Sequence, residues 1–529
     1  MTQLLLNGRI HSPTHPDATA LAVRGDTIAW LGSDAVAREQ FPDADVVDLA
    51  GAFVAPAFVD SHVHVTSTGL LLAGLDLRAA TSAEHCLALL AAYAAAHPDG
   101  VVWGHGWDDS AWPAPPSTAD VDAAVGARPA YLSRIDVHSA LASTALRAQL
   151  PELSAVDGYD PTGPLRADAH HAVRTRARTL LSDTQQRDAR TAALDAFAAA
   201  GVVAVHECAG PQIGGLDDWL ALHSTDHAVD VLGYWGEAVG SVDKARELMA
   251  HNGFRGLAGD LFIDGALGSR TAYLSAPYAD ADHCGRCYLD TDAVEAHLRV
   301  CTEAGITAGF HVIGDAAVAL VMDALQRVVD ALGVPAVARC GHRLEHLEMV
   351  TGEQAAKLGA WGVIASVQPN FDALWGGADG MYAQRLGRER ALGLNPLAQL
   401  AAAGVPLAFG SDSPVTGLDP WATVRAAIEH HTPGAAVSAR SAFSAATRGG
   451  WRAGGVRDGV TGTLVAGAPA SYAVWDAGDL EVAAPADSVA RWSTDPRSRV
   501  PALPALTERS PHCVQTVHRG RVLFGGLGV

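Results

Sequence analysis

The sequence predicts an α/β fold: a parallel (β/α)8 TIM barrel with a small β-sandwich domain formed by both chain ends. Three observations predict it. Between about residues 56 and 456, short apolar runs alternate with helical stretches, the signature of a parallel sheet wrapped in helices. No glycine-rich phosphate loop follows an early strand, which counts against a doubly wound sheet, the runner-up. Ligand-type side chains close several of the apolar runs, and strand C-termini of a barrel converge on one mouth.

The first 55 residues read as small β structure. Leu4-Leu5-Leu6 runs into the turn Asn7-Gly8, and residues 20–23 and 27–30 flank Arg24-Gly25-Asp26, a hairpin signal. The C-terminal end matches: residues 470–475 read as a strand, and residues 514–518 and 521–524 flank Arg519-Gly520. Residues 1–55 and 457–529 are therefore expected to form one composite domain. Residues 56–456 are expected to form the barrel. Helices are predicted over residues 83–96, 170–200, 291–304, 316–332, 352–358, 396–403 and 420–431. Strands are predicted over 202–205, 229–233, 261–263, 307–310, 343–344, 363–367 and 406–409. The turn-rich segment from about 108 to 168, with Trp112-Pro113-Ala114-Pro115-Pro116, reads as an insertion of the kind that caps a barrel mouth.

The first barrel strand ends in Val59-Asp60-Ser61-His62-Val63-His64. Alternate strand residues share a face, so His62 and His64 project together. A lone His-x-His is weak evidence, as often structural as functional. The set carries the reading: His311, His346 and Asp412 each close a further apolar segment. Four imidazoles and a carboxylate suit one or two Zn²⁺ per chain, with Fe²⁺ or Mn²⁺ also compatible. Such a metal acidifies a water and polarises a carbonyl. Asp412 is then the group to accept the water's proton and return it to a leaving nitrogen.

Bulk properties bound the rest. A chain of 529 residues fits a large barrel plus a smaller unit. A net charge of −21 argues against nucleic acid or an anionic membrane surface as partner. It leaves the substrate open, because a site's local field can differ in sign. No basic, apolar leader opens the chain and no apolar run is long enough to span a bilayer, so neither secretion nor a membrane is expected. Seven scattered cysteines suggest reduced thiols and a cytoplasmic protein. Cys284-Gly285-Arg286-Cys287 lacks the second pair a structural zinc site needs and reads as a loop with two free thiols.

Several motifs together resemble the amidohydrolase superfamily. They are Leu6-Asn7-Gly8-Arg9-Ile10, Ala57-Phe58-Val59-Asp60-Ser61-His62-Val63-His64, Asp264-Gly265-Ala266-Leu267-Gly268-Ser269-Arg270, His311-Val312-Ile313-Gly314-Asp315, His342-Arg343-Leu344-Glu345-His346 and Phe409-Gly410-Ser411-Asp412-Ser413-Pro414. Within the superfamily they are similar to the amidohydrolase-3 branch typified by YtcJ-like proteins and N-substituted formamide deformylase. The likeness runs over nearly the whole chain. It implies a barrel with a composite β domain, hydrolysis of non-peptide C–N bonds in a small-molecule amide or formamide, and the homodimer common among relatives. It also implies that His62, His64, His311, His346 and Asp412 are the metal-site residues.

One position departs from the resemblance. Where many relatives carry a lysine whose carbamate bridges two metals, this chain has Asp260. Three outcomes are open: Asp260 binds directly, Glu207 supplies the carboxylate from the end of residues 202–207, or the site holds one metal. Arg270 is a candidate to hold a substrate carboxylate or carbonyl, or else to brace its loop against Asp264 or Asp315. His138 and Trp107, with Trp103 and Trp112, are candidates for the pocket wall. Asp315 is expected either to orient a ligand histidine or to cap the helix that follows it. Beside the C–N hydrolase stand two alternatives: a deaminase of a heterocycle, and a non-catalytic binding protein on the same fold.

Overall fold

The computed structural model describes residues 2–481, 501–506 and 509–526, so part of the expected 457–529 segment lies outside the described residues. Eight strands build the central sheet: β1 (Phe58–Val63), β2 (Val202–Ala209), β3 (Asp230–Trp235), β4 (Gly256–Leu257), β5 (Thr307–Val312), β6 (Arg343–His346), β7 (Ile364–Val367) and β8 (Leu407–Phe409). They lie in chain order and every neighbouring pair is parallel. A parallel bridge between Val63 and Ser413 brings the end of β8 back to β1. There the Asp412 N–H donates to His62 O and the His64 N–H to Ser413 O, each at 2.8 Å. Every residue of β1 and β2 is buried, as expected of parallel strands covered on both faces. The fold is the (β/α)8 barrel.

Two elements differ from expectation. The helix foreseen over 170–200 is two helices, α2 (Ala167–Arg178) and α3 (Asp183–Ala199), following α1 (Val65–Ala73) at the end of β1. The break is a capping box: the Ser182 hydroxyl accepts from Gln185 N–H and the Gln185 side chain accepts from Ser182 N–H. The strand foreseen over 261–263 does not form. β4 stops at Leu257, Gly259 takes φ +78°, and beyond it Phe262 makes a single bridge to His311. Asp260 therefore sits on a bend at the mouth.

A second, five-stranded sheet lies between β1 and β2 in sequence, built from Leu75–Asp76, Val102–Trp107, Ala130–Arg134, Ser139–Ala142 and Leu165–Arg166. It begins ahead of residue 108, where the sequence placed the insertion. Gly104 and Gly106 interrupt the apolar pattern of Val102–Trp107 and hide that strand. At the other end of the barrel, Arg9–Ile10 and Phe53–Pro56 share a sheet with Tyr472–Asp476, His512–His518 and Arg521–Gly525. That sheet and the four-stranded sheet of Thr2–Leu6, Ala20–Arg24, Thr27–Gly32 and Asp45–Asp48 share one core, including Leu5, Leu21, Ile28, Val54, Tyr472, Val474 and Val517. Phe58, Trp421, Phe443 and Trp475 join it to the barrel, with ring centroids 5.1 to 5.7 Å apart. Cys284 and Cys287 are both free. Among the described residues no helix is long and apolar enough to cross a membrane.

Candidate metal centre

The barrel brings His62, His64, His311, His346 and Asp412 to one mouth, and the bend after Gly259 places Asp260 among them. Asp260 Oδ1 lies 3.4 Å from His62 Nε2, 3.5 Å from His311 Nδ1 and 3.9 Å from His346 Nε2. Its Oδ2 lies 3.2 Å from His64 Nε2. Asp412 Oδ1 is 3.4 Å from His62 Nε2 and 3.3 Å from His64 Nε2. Two ligands of a tetrahedral zinc, each roughly 2.1 Å from the ion, stand about 3.4 Å apart. The donor spacing fits that figure. His62 Nε2, His311 Nδ1, His346 Nε2, Asp260 Oδ1 and Asp412 Oδ1 are all buried without a hydrogen-bond partner. Buried polar atoms are otherwise nearly always satisfied, so five orphans converging in one place fit a cation.

The far nitrogens fix how the imidazoles present themselves. His62 Nδ1–H donates to Glu345 Oε2 at 2.9 Å and His346 Nδ1–H to Gln368 Oε1 at 2.8 Å. His311 Nε2 faces the Gly265 carbonyl at 3.5 Å. In each case the lone pair is left for the centre, the usual outer support of a metal-bound histidine. Glu345 is held in turn by Arg343, whose Nη2–H donates to it at 2.9 Å. Burial opposes charge on Glu345, but the Arg343 and His62 charges outweigh it and hold its carboxyl well below the usual range. Burial likewise opposes charge on His64. Its contacts with Asp260 and Asp412 prevail and push it up to about 9. The two carboxylates thus demand positive charge from whatever occupies the centre.

Backbone details hold this geometry. Asp60 ties the first strand to the last: its Oδ1 accepts from Ser411 N–H at 2.8 Å and from His62 N–H at 3.3 Å. Asp264 accepts from Ile313, Gly314 and Tyr273 N–H groups at 2.8 to 3.0 Å and so fixes the loop after His311. Asp412 (φ +54°) and His346 (φ +67°) take left-handed backbone conformations. Such strain persists only where surrounding contacts over-determine it.

Other expected residues lie elsewhere. Glu207 belongs to no ligand cluster among the described residues. It accepts the Val65 N–H, the first of α1, at 2.7 Å, and burial raises its carboxyl to about 7. Arg270 braces its loop, but against Asp280, at 2.7 and 3.1 Å, and not against Asp264 or Asp315. Trp107 is buried in the core of the inserted sheet, with its indole N–H donating to Leu132 O at 2.8 Å. Asp315 neither orients a ligand nor caps its helix. Gly314 is the cap, and Asp315 accepts from Ser275 N–H at 2.9 Å.

Two cavities flank the centre, and His138 lines both. The first, of about 530 Å³, has His64, Trp103, Tyr131, His138, Arg174, Asp260 and Phe262 among its walls. The second, of about 340 Å³, has His138, His311, His346, Phe371, Trp375 and Asp412. Trp103, not Trp107, is the tryptophan at the first cavity. Gln368 was missed in the sequence, although it closes the apolar run of β7 just as the ligands close theirs.

A parallel barrel with imidazoles and carboxylates at its strand ends defines a class, the metal-dependent hydrolases. The comparisons agree. The amidohydrolase family's sequence profile matches residues 45–524. The chain is 28% identical over 466 residues to Protein LONG AFTER FAR-RED 3 of Arabidopsis thaliana, covering 81% of this chain and 78% of that one. It is 27% identical over 446 residues to the putative amidohydrolase YtcJ of Bacillus subtilis, covering 77% and 80%. With the N-substituted formamide deformylase of Arthrobacter pascens it shares 23% identity over 518 residues, 88% and 91% of the two chains. An uncharacterized metal-dependent hydrolase from Pyrococcus furiosus superposes with a TM-score of 0.69 and 26% identity, over 90% of this chain and 99% of that one. The chain belongs to the amidohydrolase family.

Proposed function

We propose that the protein hydrolyses a non-peptide C–N bond in a small amide or N-substituted formamide, with two metal ions held around Asp260. The observation that carries this reading is the position of Asp260. One carboxylate oxygen faces His64, and the other faces His62, His311 and His346. Asp260 stands at the sequence position where the resemblance puts a carbamylated lysine, and its two oxygens would let it serve both ions. His62, His64 and Asp412 would hold one ion, and His311 and His346 the other. Zinc suits this donor set, and when bound it supplies an acidified water and polarises the scissile carbonyl.

The chain's own groups do the rest. Asp412, buried with one oxygen free of any protein partner, accepts the water's proton and delivers it to the leaving nitrogen. His138 stands where the two cavities meet, so the two substituents of an amide separate on either side of it. Burial is the main cause of its lowered pKa. It is therefore neutral and offers a ring N–H to the substrate oxygen. The likeness to an N-substituted formamide deformylase supports the same bond class.

The test is a screen of zinc-loaded protein against N-substituted formamides, N-acyl amines and amino-heterocycles, with release of carboxylate, formate and ammonia followed separately. Formate or carboxylate release, reduced about 10²- to 10⁴-fold by Asp412→Asn, is the expected result. Ammonia release from a heterocycle without amide turnover would replace this reading with a deaminase. Full occupancy with no turnover of either kind would leave a binding protein.

A further inference from the structure

Arg174 aside, the buried arginines among the described residues each have a carboxylate partner. Arg134 faces Asp108, Asp109 and Asp136, Arg343 faces Glu345, Arg190 faces Asp218 and Arg385 faces Asp280. Arg174, on α2, is the exception. It is 7% exposed, and no carboxylate among the described residues lies within ion-pair distance of it. Its Nη2 is used by His171 Nδ1 at 3.0 Å and Gln212 O at 2.7 Å. Its Nε is buried with no partner among the described residues, as are those of Arg178 and Arg190. The side chain lines the first cavity, the one that also contains His64 and Asp260.

One turn further along α2, Arg178 lines the same wall. It lies 5.8 Å above the Trp103 ring and shares the single carboxylate of Asp218 with Arg190. Among the described residues Asp260 is the only acidic one on the cavity wall, and the candidate metal centre claims it. Inside a chain of net charge −21, this chamber therefore carries an excess of positive charge. Leaving a buried cation uncompensated is costly, and such a group persists where a ligand completes it. Trp103 and Tyr131, with ring centroids 4.6 Å apart, and Phe262 add an apolar wall.

We infer that Arg174 is the carboxylate-binding residue of the first cavity, and that the substrate is an anionic amide with an apolar body whose carboxylate lies on Arg174 while its amide reaches the metal centre. This deepens the reading proposed above and rests on it for the hydrolytic step alone. A planar guanidinium with free N–H groups matches a carboxylate. Arg270, which the sequence suggested for this task, is occupied by Asp280.

The experiment uses matched pairs: N-formyl and N-acetyl derivatives of phenylalanine, leucine and alanine, each as the free acid and as the neutral carboxamide. Binding to the zinc-loaded full chain is followed by calorimetry, and turnover by amine release. The acids are expected to bind at least tenfold more tightly than their carboxamides. Arg174→Gln is expected to abolish that preference, raising KM for the acids while leaving the carboxamides within about twofold. Arg174→Lys, which keeps the charge, should restore part of it, and thermal unfolding of both variants checks that they fold. The wild-type comparison needs no variant. Acids that bind no better than carboxamides, a panel that does not bind at all, or an acid preference that survives in Arg174→Gln would each overturn the inference. Acids that bind through Arg174 but are not cleaved would sustain it and sink the hydrolase reading. Carboxamides cleaved while acids are ignored would do the reverse.

Discussion

Two populations of buried histidine occupy this barrel and behave oppositely. At the mouth, His62 and His64 are pushed up toward the charged form. Burial opposes this, but Cys208, Asp412 and Asp260 outweigh it at His62, and Asp260 and Asp412 do so at His64. Away from the mouth, His297 and His342 are equally buried and have no carboxylate beside them. They fall to about 4 and about 3, with burial the main cause. Each of these works as a neutral connector. His297 Nδ1 accepts Val239 N–H at 3.1 Å and His342 Nδ1 accepts Ala308 N–H at 2.9 Å. The difference teaches that imidazoles alone do not make a cation site. The carboxylates set between them do.

Changes that remove those carboxylates should have the largest effects. Asp260→Asn keeps the shape and deletes the charge that both halves of the centre share. On the proposed two-ion reading, the expected outcome is a fall in bound metal to one ion per chain or none, read by inductively coupled plasma mass spectrometry, with turnover down ~10³-fold or more. Two ions retained with normal turnover would remove Asp260 from its bridging role. Glu345→Gln acts one step further out, removing the charge that steadies His62 and that pairs with the buried Arg343. Metal affinity should fall about 10- to 100-fold, measured by competition with a chelating dye. Glu207→Gln sits outside the cage and should leave the metal count unchanged.

The neutral population gives the smallest and most graded effect. A histidine whose folded pKa is depressed below the unfolded value of 6.5 excludes a proton that the unfolded chain takes up. Its contribution to stability is therefore complete above about pH 6.5 and is lost as pH falls toward 4, at up to about 1.4 kcal/mol per pH unit for each such group. Unfolding free energy followed by urea titration should decline over that window. His297→Gln should flatten the slope by one proton's worth, and an unchanged slope would mean that His297 is not held neutral.

The candidate ligands were legible because each is a polar residue ending an apolar run, a local pattern that survives without knowledge of the fold. The same pattern also marked Glu207, whose carboxylate accepts the Val65 N–H. It identifies a strand end but not the direction a side chain takes, and successive residues face opposite ways. His206 and Glu207 illustrate this: the first accepts from Arg343 Nη1 at 2.9 Å, the second caps α1. Arg270 and Trp107 were left between a site role and a structural one, because their partners, Asp280 and the core of the inserted sheet, are set by tertiary packing. Arg174 left a faint trace. With His170 and Arg178 it forms a polar stripe at four-residue spacing along a helix, and that stripe proves to be buried or nearly so.

The excursion between β1 and β2 has an evolutionary consequence. Trp103, Tyr131, His138, Arg174 and Arg178 all belong to it, whereas the candidate metal ligands come from the barrel itself. Much of the first cavity's wall, His138 included, can therefore change with one contiguous stretch of chain while the ligand-type side chains of the barrel stay in place.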